Sequence, residues 1–255
     1  MTAGRVLVLT PRHRARSTQV TADGVLDVGN YPTLRDGLLK IAAETEDGLI
    51  VDVDGLAIGE ASLCSVFSLV AMRINDWPAV PFALVSRRPG QVELLSRRAV
   101  DRFVPVHETF DVAESAFERH FRRRAEQHLL RADGASTLAR RFVTRVCAEW
   151  DVPDLVDDAT LIATELVENT IRHTRSLPRL RLELRHGMLA VAVADDDPRP
   201  AVLLERLSLL EPGLGLRMVA QTARVWGSSP SWSGGKVVWA VLPRPRASRG
   251  GPHVG

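Results

Sequence analysis

Hydrophobic residues along the first hundred positions come in two rhythms, short unbroken runs and longer stretches spaced by three and four. "RVLVL" (5–9), "GLIVDVDGL" (48–56) and "PFALVS" (81–86) are short apolar runs, which predicts strands. Between them, "PTLRDGLLKIAAE" sets Leu34, Leu38, Ile41 and Ala42 on one helical face, and "SLCSVFSLVAMRIN" does the same with Leu63, Phe67, Val70 and Ile74. "GQVELLSRRAV" (90–100) predicts a third helix. Strands separated by helices predict a compact α/β domain that ends near "VPVHETFDVA" (104–113).

The pattern then changes. In "VAESAFERHFRRRAEQHLLRA", Phe117, Phe121, Ala125 and Leu129 recur every four residues with arginine on the other faces, which predicts an amphipathic linker helix over 113–133. "DGAS" (133–136) breaks it. Two further helices are predicted in "TLARRFVTRVCAEW" (137–150) and "VPDLVDDATLIATELVENTIRHT" (152–174), the second with Pro153 near its start. "RLRLELRHGMLAVAVADD" (179–196) reads as two strands turning near Gly187, "GLGLRMVAQTARVW" (213–226) as a helix, and "SPSWSGGKVVWAVL" (229–242) as a hairpin turning at Gly234–Gly235. This second α/β domain covers 134–243, and residues 244–255 are expected to be a disordered tail.

Composition adds bounds. A chain of 255 residues exceeds the usual size of one domain and fits two. Hydrophobic residues make up 45% and charged residues 25%, and the net charge is +2, which gives no reason to expect nucleic acid or acidic lipid as a partner. The basic "RRR" of the linker does not alter that balance. Cys64 and Cys147 are too few for a disulfide framework or a zinc site and lie in apolar runs, so reduced buried thiols are expected. The N-terminal apolar run is too short for a signal peptide and "SLCSVFSLVAM" too short to span a bilayer, so the expected location is the cytoplasm.

The long helix carries the candidate chemistry. At about 100° per residue, Leu155, Ala159, Ile162 and Leu166 form its buried stripe. Asn169 falls about 60° and Glu165 about 100° from the stripe's centre, on the same side. A carboxylate and an amide one turn apart at the border of a core suit a divalent cation or a proton acceptor beside a ligand. Glu168 points to the other side and is expected to be solvated. Further on, a strand ends at Asp195, and Gly213 and Gly215 open a helix where backbone N–H groups can approach a phosphate.

This ordered set resembles the GHKL ATPase superfamily over residues 134–243. Within it, "RRFVTRVCAEWDVPDLVDDATLIATELVENTIRHT" and "EPGLGLRMVAQTARVWGSSPSWSGGKVVWAVL" look like the anti-sigma-factor serine kinases in their actinobacterial form. By position, the resemblance makes Glu165 the general base for a serine hydroxyl and Asn169 the ligand of a Mg²⁺ that bridges the phosphates of ATP. Asp195 would accept a hydrogen bond from the adenine amino group, and Gly213 and Gly215 would line the phosphates. Arg172 and His173 match the family's Arg-His and fall with the nucleotide site. Gly234, Gly235 and Lys236 match too, and a hairpin turn accounts for them. Two positions depart: Asp197 stands where the family has a small residue, and Val237 where it has a threonine that supports the adenine contact. The Asp197 charge is expected to weaken nucleotide binding unless it faces solvent or metal.

Residues 1–112 resemble a STAS (anti-anti-sigma) domain, with the family's Asp-Ser-Ser-Gly replaced by Glu60, Ala61, Ser62 and Leu63. Ser62 aligns with that family's phosphoacceptor, with a helix cap as the alternative role, and Ser65 is a second candidate. The expected fold is therefore a STAS-like α/β domain followed by a GHKL (Bergerat) α/β sandwich with helices on one face of a mixed sheet. The resemblance implies an ATP- and Mg²⁺-dependent protein serine kinase in partner switching. Its substrate would be a STAS-domain protein or the chain's own first domain, with a sigma factor and a homodimer as further expected partners. The alternatives are a non-catalytic partner-binding module and a histidine kinase fragment, the latter without a surrounding motif at His120 or His128.

Overall fold

The structure, a computed structural model, describes residues 6–14, 16–117, 123–185, 187–199 and 214–243. The chain divides into two compact units: Met1–Phe121 with Ser229–Gly235, and Arg122–Ser228 with Lys236–Gly255.

In the first unit, β1 (Val8–His13), β2 (Thr18–Leu26), α1 (Tyr31–Glu44), β3 (Leu49–Asp52) and β4 (Leu56–Ile58) lead to a 3-10 turn (Ala61–Cys64). Then come α2 (Ser65–Asp76), β5 (Phe82–Val85), α3 (Pro89–Arg97), β6 (Val106–His107) and α4 (Phe110–Ala116). The sheet order is β1-β2-β3-β5-β6, with β4 also on β2. β1 is antiparallel to β2, and β2–β3, β3–β5 and β5–β6 are parallel, so this sheet is mixed. Leu49, Val51 and Leu84 pack with Leu34, Leu38, Phe67 and Ile74 of α1 and α2. Their neighbours Ile50, Ala83 and Val85 pack with Ala113 of α4. A sheet covered on both faces needs apolar residues at every strand position, which is why these strands read as unbroken runs. β2 was not expected, because its Thr, Gln and Asp residues hide an alternation in which Thr18, Val20 and Ala22 are buried.

The second unit contains β7 (Arg123–His128), α5 (Ala135–Glu149), α6 (Val156–His173), β8 (Arg179–Arg185), β9 (Met188–Asp195), α7 (Leu214–Thr222), β10 (Val225–Pro230) and β11 (Lys236–Pro243). The strand order is β10-β11-β9-β8-β7, and β7–β8, β8–β9 and β9–β11 are antiparallel. β10 pairs with β11 at the far edge of this sheet. Alternate residues of three strands share one core with the helices: Leu180 and Leu182, Val191 and Val193, Val238 and Ala240, against Val146, Ile162, Leu166 and Val219. The helices therefore lie on one face of the sheet. Leu166 is 1% exposed at the centre of that core. Leu166→Ala is expected to cost about 2–5 kcal/mol, read as a lower urea midpoint, and an unchanged midpoint would place α6 off the core.

Two predicted helices are corrected. The linker helix expected over 113–133 does not continue through its second half: α4 ends at Ala116, residues 118–122 lie outside the described residues, and Arg123–His128 is an edge strand on β8. A spacing of four fits a strand as well as a helix. Cross-strand charge decides for the strand, since Arg124 stands opposite Glu183 and Glu126 opposite Arg181. The helix predicted over 213–226 stops at Thr222, and Val225 and Trp226 begin β10, with the Arg224 N–H donating to the Val241 carbonyl on β11. The hairpin turn is as expected, with Gly234 at φ +106 and Gly235 at φ +77, a backbone conformation that favours glycine. The tail expected over 244–255 lies outside the described residues. Cys64 and Cys147 are free and buried, and burial pushes the Cys147 thiol up to about 11, where it is unreactive. Among the described residues, no helix is long and apolar enough to cross a membrane.

Candidate functional site

α6 begins after a 3-10 turn at Pro153–Leu155, with Asp157 and Asp158 in its first turn and Arg172 and His173 in its last. The charges of Asp157 and Asp158 at one end and Arg172 at the other complement the helix dipole. The far end is tied down. The Thr174 hydroxyl donates to the Thr170 carbonyl at 2.9 Å, and Arg131 Nη2 donates to the Ile171 carbonyl at 2.8 Å. Glu165 and Asn169, one turn apart, are both half-buried. Burial pushes the Glu165 carboxyl up, the Glu168 charge adds to this, and Arg172 opposes it. Glu168 is not merely solvated, as its spacing had suggested. It accepts a hydrogen bond from Ser136 Oγ of α5 at 3.0 Å and lies 3.8 Å from Arg172.

Where α6 ends, its last turn meets the end of β9. The Asp196 N–H donates to Ser176 Oγ at 2.9 Å, and Arg179 Nη1 pairs with Asp196 at 2.8 Å. A cavity of about 880 Å³ opens there, and its walls include Arg131, Arg172, His173, Arg175 and Asp197. The Asp197 charge is met by Arg199, with Nη2 on Oδ2 at 2.6 Å and Nε on Oδ1 at 3.0 Å. These bonds hold the Asp197 carboxyl well below the usual carboxylate range. The unfavourable charge read from the sequence is therefore neutralised by a neighbour two residues on.

Asp195, the last residue of β9, is fully buried. Its Oδ1 accepts the Lys236 ammonium at 2.8 Å and the Asp197 N–H at 2.9 Å. Its Oδ2 is buried with no hydrogen-bond partner among the described residues. Lys236 is the direct cross-strand partner of Asp195 and also donates to the Asp197 carbonyl at 3.0 Å. Sequence reasoning had assigned Lys236 to the turn alone. The signal that marks it is its rarity, since Lys40 is the only other lysine, together with its position opposite the strand-ending aspartate. Val237 pairs with Ala194, one residue along, so by strand alternation its side chain takes the opposite face of the sheet from Asp195.

Asp195 Oδ2 lacks a donor among the described residues, and Asp195, Glu165 and Asn169 are not among the residues that line the cavity. Glu165 and Asn169 offer one carboxylate and one amide. Among the described residues no cluster of three or more His, Cys, Asp or Glu side chains could hold a metal. This donor set fits a Mg²⁺ that takes most of its oxygens from phosphates and water, which is the usual way that ion is held. Gly215 is the second residue of α7, and Gly213 lies outside the described residues.

In the first unit, Ser62 is exposed within the 3-10 turn, and its hydroxyl donates to Glu60 Oε2 at 3.4 Å. No side chain caps this turn or α2, so Ser62 does not serve as a cap. Ser65, the first residue of α2, is also exposed and sits 3.4 Å from the Tyr31 hydroxyl. Leu63, at the position of the motif's glycine, is a buried core residue.

No family model matches the chain, and no curated protein does. Solved structures that are similar in part include the following two. An anti-sigma factor antagonist from Mycobacterium paratuberculosis is 18% identical, with 44% of this chain and 94% of that one covered and a TM-score of 0.39. The anti-sigma factor antagonist SpoIIAA in its unphosphorylated form is 15% identical, with 42% and 92% covered and a TM-score of 0.34.

Proposed function

We propose that the chain is a partner-switching regulator whose second unit binds Mg-ATP and phosphorylates a serine of a STAS-type protein, either its own first unit or a separate one. The observation that carries this reading is the buried Oδ2 of Asp195, which has no hydrogen-bond partner among the described residues, on a strand that packs under the helix bearing Glu165 and Asn169. A buried acceptor left without a donor is costly and calls for a ligand that supplies one. Mg-ATP would supply the γ-phosphoryl group to the serine oxygen and leave as ADP as its β–γ bond breaks, and the Asn169 amide oxygen would hold the metal. Glu165 takes the proton from the attacking serine hydroxyl, a role that a carboxyl pushed up by burial suits. The guanidinium groups of Arg131, Arg172 and Arg175 on the cavity wall favour an anionic group. Phosphorylation would change which partner is held, a sigma factor among them.

The test is phosphoserine mapping after incubation of the full chain with Mg-ATP, alone and with an added STAS-type protein. Phosphate is expected on Ser62 and is lost in Ser62→Ala but kept in Ser65→Ala. A second reading is favoured by Leu63, which puts a core side chain where the acceptor motif has glycine. In that reading the chain binds nucleotide and partner without transfer. ATP binding with no phosphoserine on any protein in the mixture would establish it.

A further inference from the structure

We infer that the cavity at the end of α6 is a phosphate-dianion site, in which the guanidinium groups of Arg131, Arg172 and Arg175 hold a phosphate that is not part of the nucleotide. Glu165, Asn169 and Asp195 do not line this cavity, so the inference goes beyond the nucleotide reading and does not depend on it.

The two carboxylates on the wall are already met, Asp196 by Arg179 at 2.8 Å and Asp197 by Arg199 at 2.6 Å. The other three guanidinium groups are not spent in this way. Arg131 gives one N–H to the Ile171 carbonyl at 2.8 Å, which anchors it and leaves further donors for a ligand. Arg172 stands 3.8 Å from Glu168, beyond hydrogen-bond distance. Arg175 has no hydrogen-bond or ion-pair partner among the described residues. The Ser176 hydroxyl accepts the Asp196 N–H at 2.9 Å and keeps its own proton to donate. A helix C-terminus ordinarily repels an anion through its free carbonyls. Here the Thr170 carbonyl takes the N–H and the hydroxyl of Thr174, both at 2.9 Å, and the Ile171 carbonyl takes Arg131. Guanidinium groups meet phosphate oxygens with paired N–H donors, and a phosphate monoester carries close to two charges at neutral pH. At about 880 Å³ the cavity is much larger than one phosphate group, so it has room for a chain segment that carries a phosphoserine.

The experiment titrates the full chain with inorganic phosphate and with a short glycine-flanked O-phosphoserine peptide, read by the backbone amide NMR signals of Ser176 and Asp196. Both probes are expected to shift these signals, and the unphosphorylated peptide to leave them in place. Arg131→Ala and Arg175→Ala should each weaken phosphate binding by about tenfold, the weight of a hydrogen bond to a charged group, with Arg175→Lys between Arg175→Ala and the wild type. Should Arg131→Ala fail to fold, Arg175→Ala gives the same reading, since Arg175 has no polar partner among the described residues to lose. Tighter binding of the phosphopeptide than of inorganic phosphate would make a protein-borne phosphoserine the occupant, and equal or weaker binding would make it the free anion; either outcome supports the site. Saturating Mg-ATP should leave the phosphate dissociation constant unchanged. Displacement of phosphate by ATP, binding that survives both alanine variants, or no shift with either probe overturns the inference and leaves the nucleotide reading standing. Phosphate binding lost in the arginine variants of a chain that binds no ATP would keep the inference and remove the nucleotide reading.

Discussion

Asp195→Ala is expected to abolish ATP binding and to destabilise the second unit together. Removing the carboxylate strands a buried ammonium that keeps a single acceptor, the Asp197 carbonyl. Breaking one side of such a pair costs about 3–5 kcal/mol. A lost site and a lost fold give the same silence in a titration, so the double variant Asp195→Leu with Lys236→Met separates them. Replacing a buried ion pair by apolar residues of similar volume is often neutral or stabilising. The double variant should therefore recover the denaturation midpoint of the wild type and still bind no nucleotide. A folded Asp195→Ala or double variant that binds ATP with wild-type affinity would show that Oδ2 is not the acceptor.

The same pair marks where the sequence could be read and where it could not. The helices α1, α2, α5 and α6 follow directly from apolar spacing, because each buries one stripe against one sheet. The strands β3, β5, β8 and β9 follow because they are covered or lined by core residues along their length. β7 was hidden because a repeat of four is shared by helix and strand, and its identity lies in charges on β8, more than fifty residues away in sequence. Glu168 was misread for the same reason, since its partner Ser136 belongs to another helix. At the candidate site, Glu165, Asn169 and Asp195 were singled out by helical angle and by position at a strand end. The neutralisation of Asp197 by Arg199 and the occupation of Asp195 Oδ1 by Lys236 were not. Both depend on side-chain geometry at a strand end, and for Lys236 on cross-strand register, which a linear pattern does not carry.

Glu165→Gln is expected to lower phosphoryl transfer by roughly 10²–10⁴-fold, the usual weight of a general base, while changing ATP affinity little. The pH dependence makes the test specific. Burial, then Glu168, raise the folded-state pKa of Glu165 above its unfolded value, with Arg172 in opposition. The folded state therefore binds the proton more tightly, and ionising Glu165 costs stability as pH rises through the window between the two values. Above that window the Gln variant, which has no charge to desolvate, should melt no lower than the wild type. Below it the two should converge. Transfer by the wild type should rise with pH along a limb set by the raised pKa, and the Gln variant should lack that limb. Neighbours move it in opposite directions. Glu168→Gln removes a like charge and shifts the limb to lower pH, whereas Arg172→Ala removes the opposing cation and shifts it higher. Wild-type transfer by Glu165→Gln would remove Glu165 from the chemistry. A limb that ignores both neighbours would assign the titration to another group, because no structural role of Glu165 makes two flanking charges move one pH profile in opposite directions.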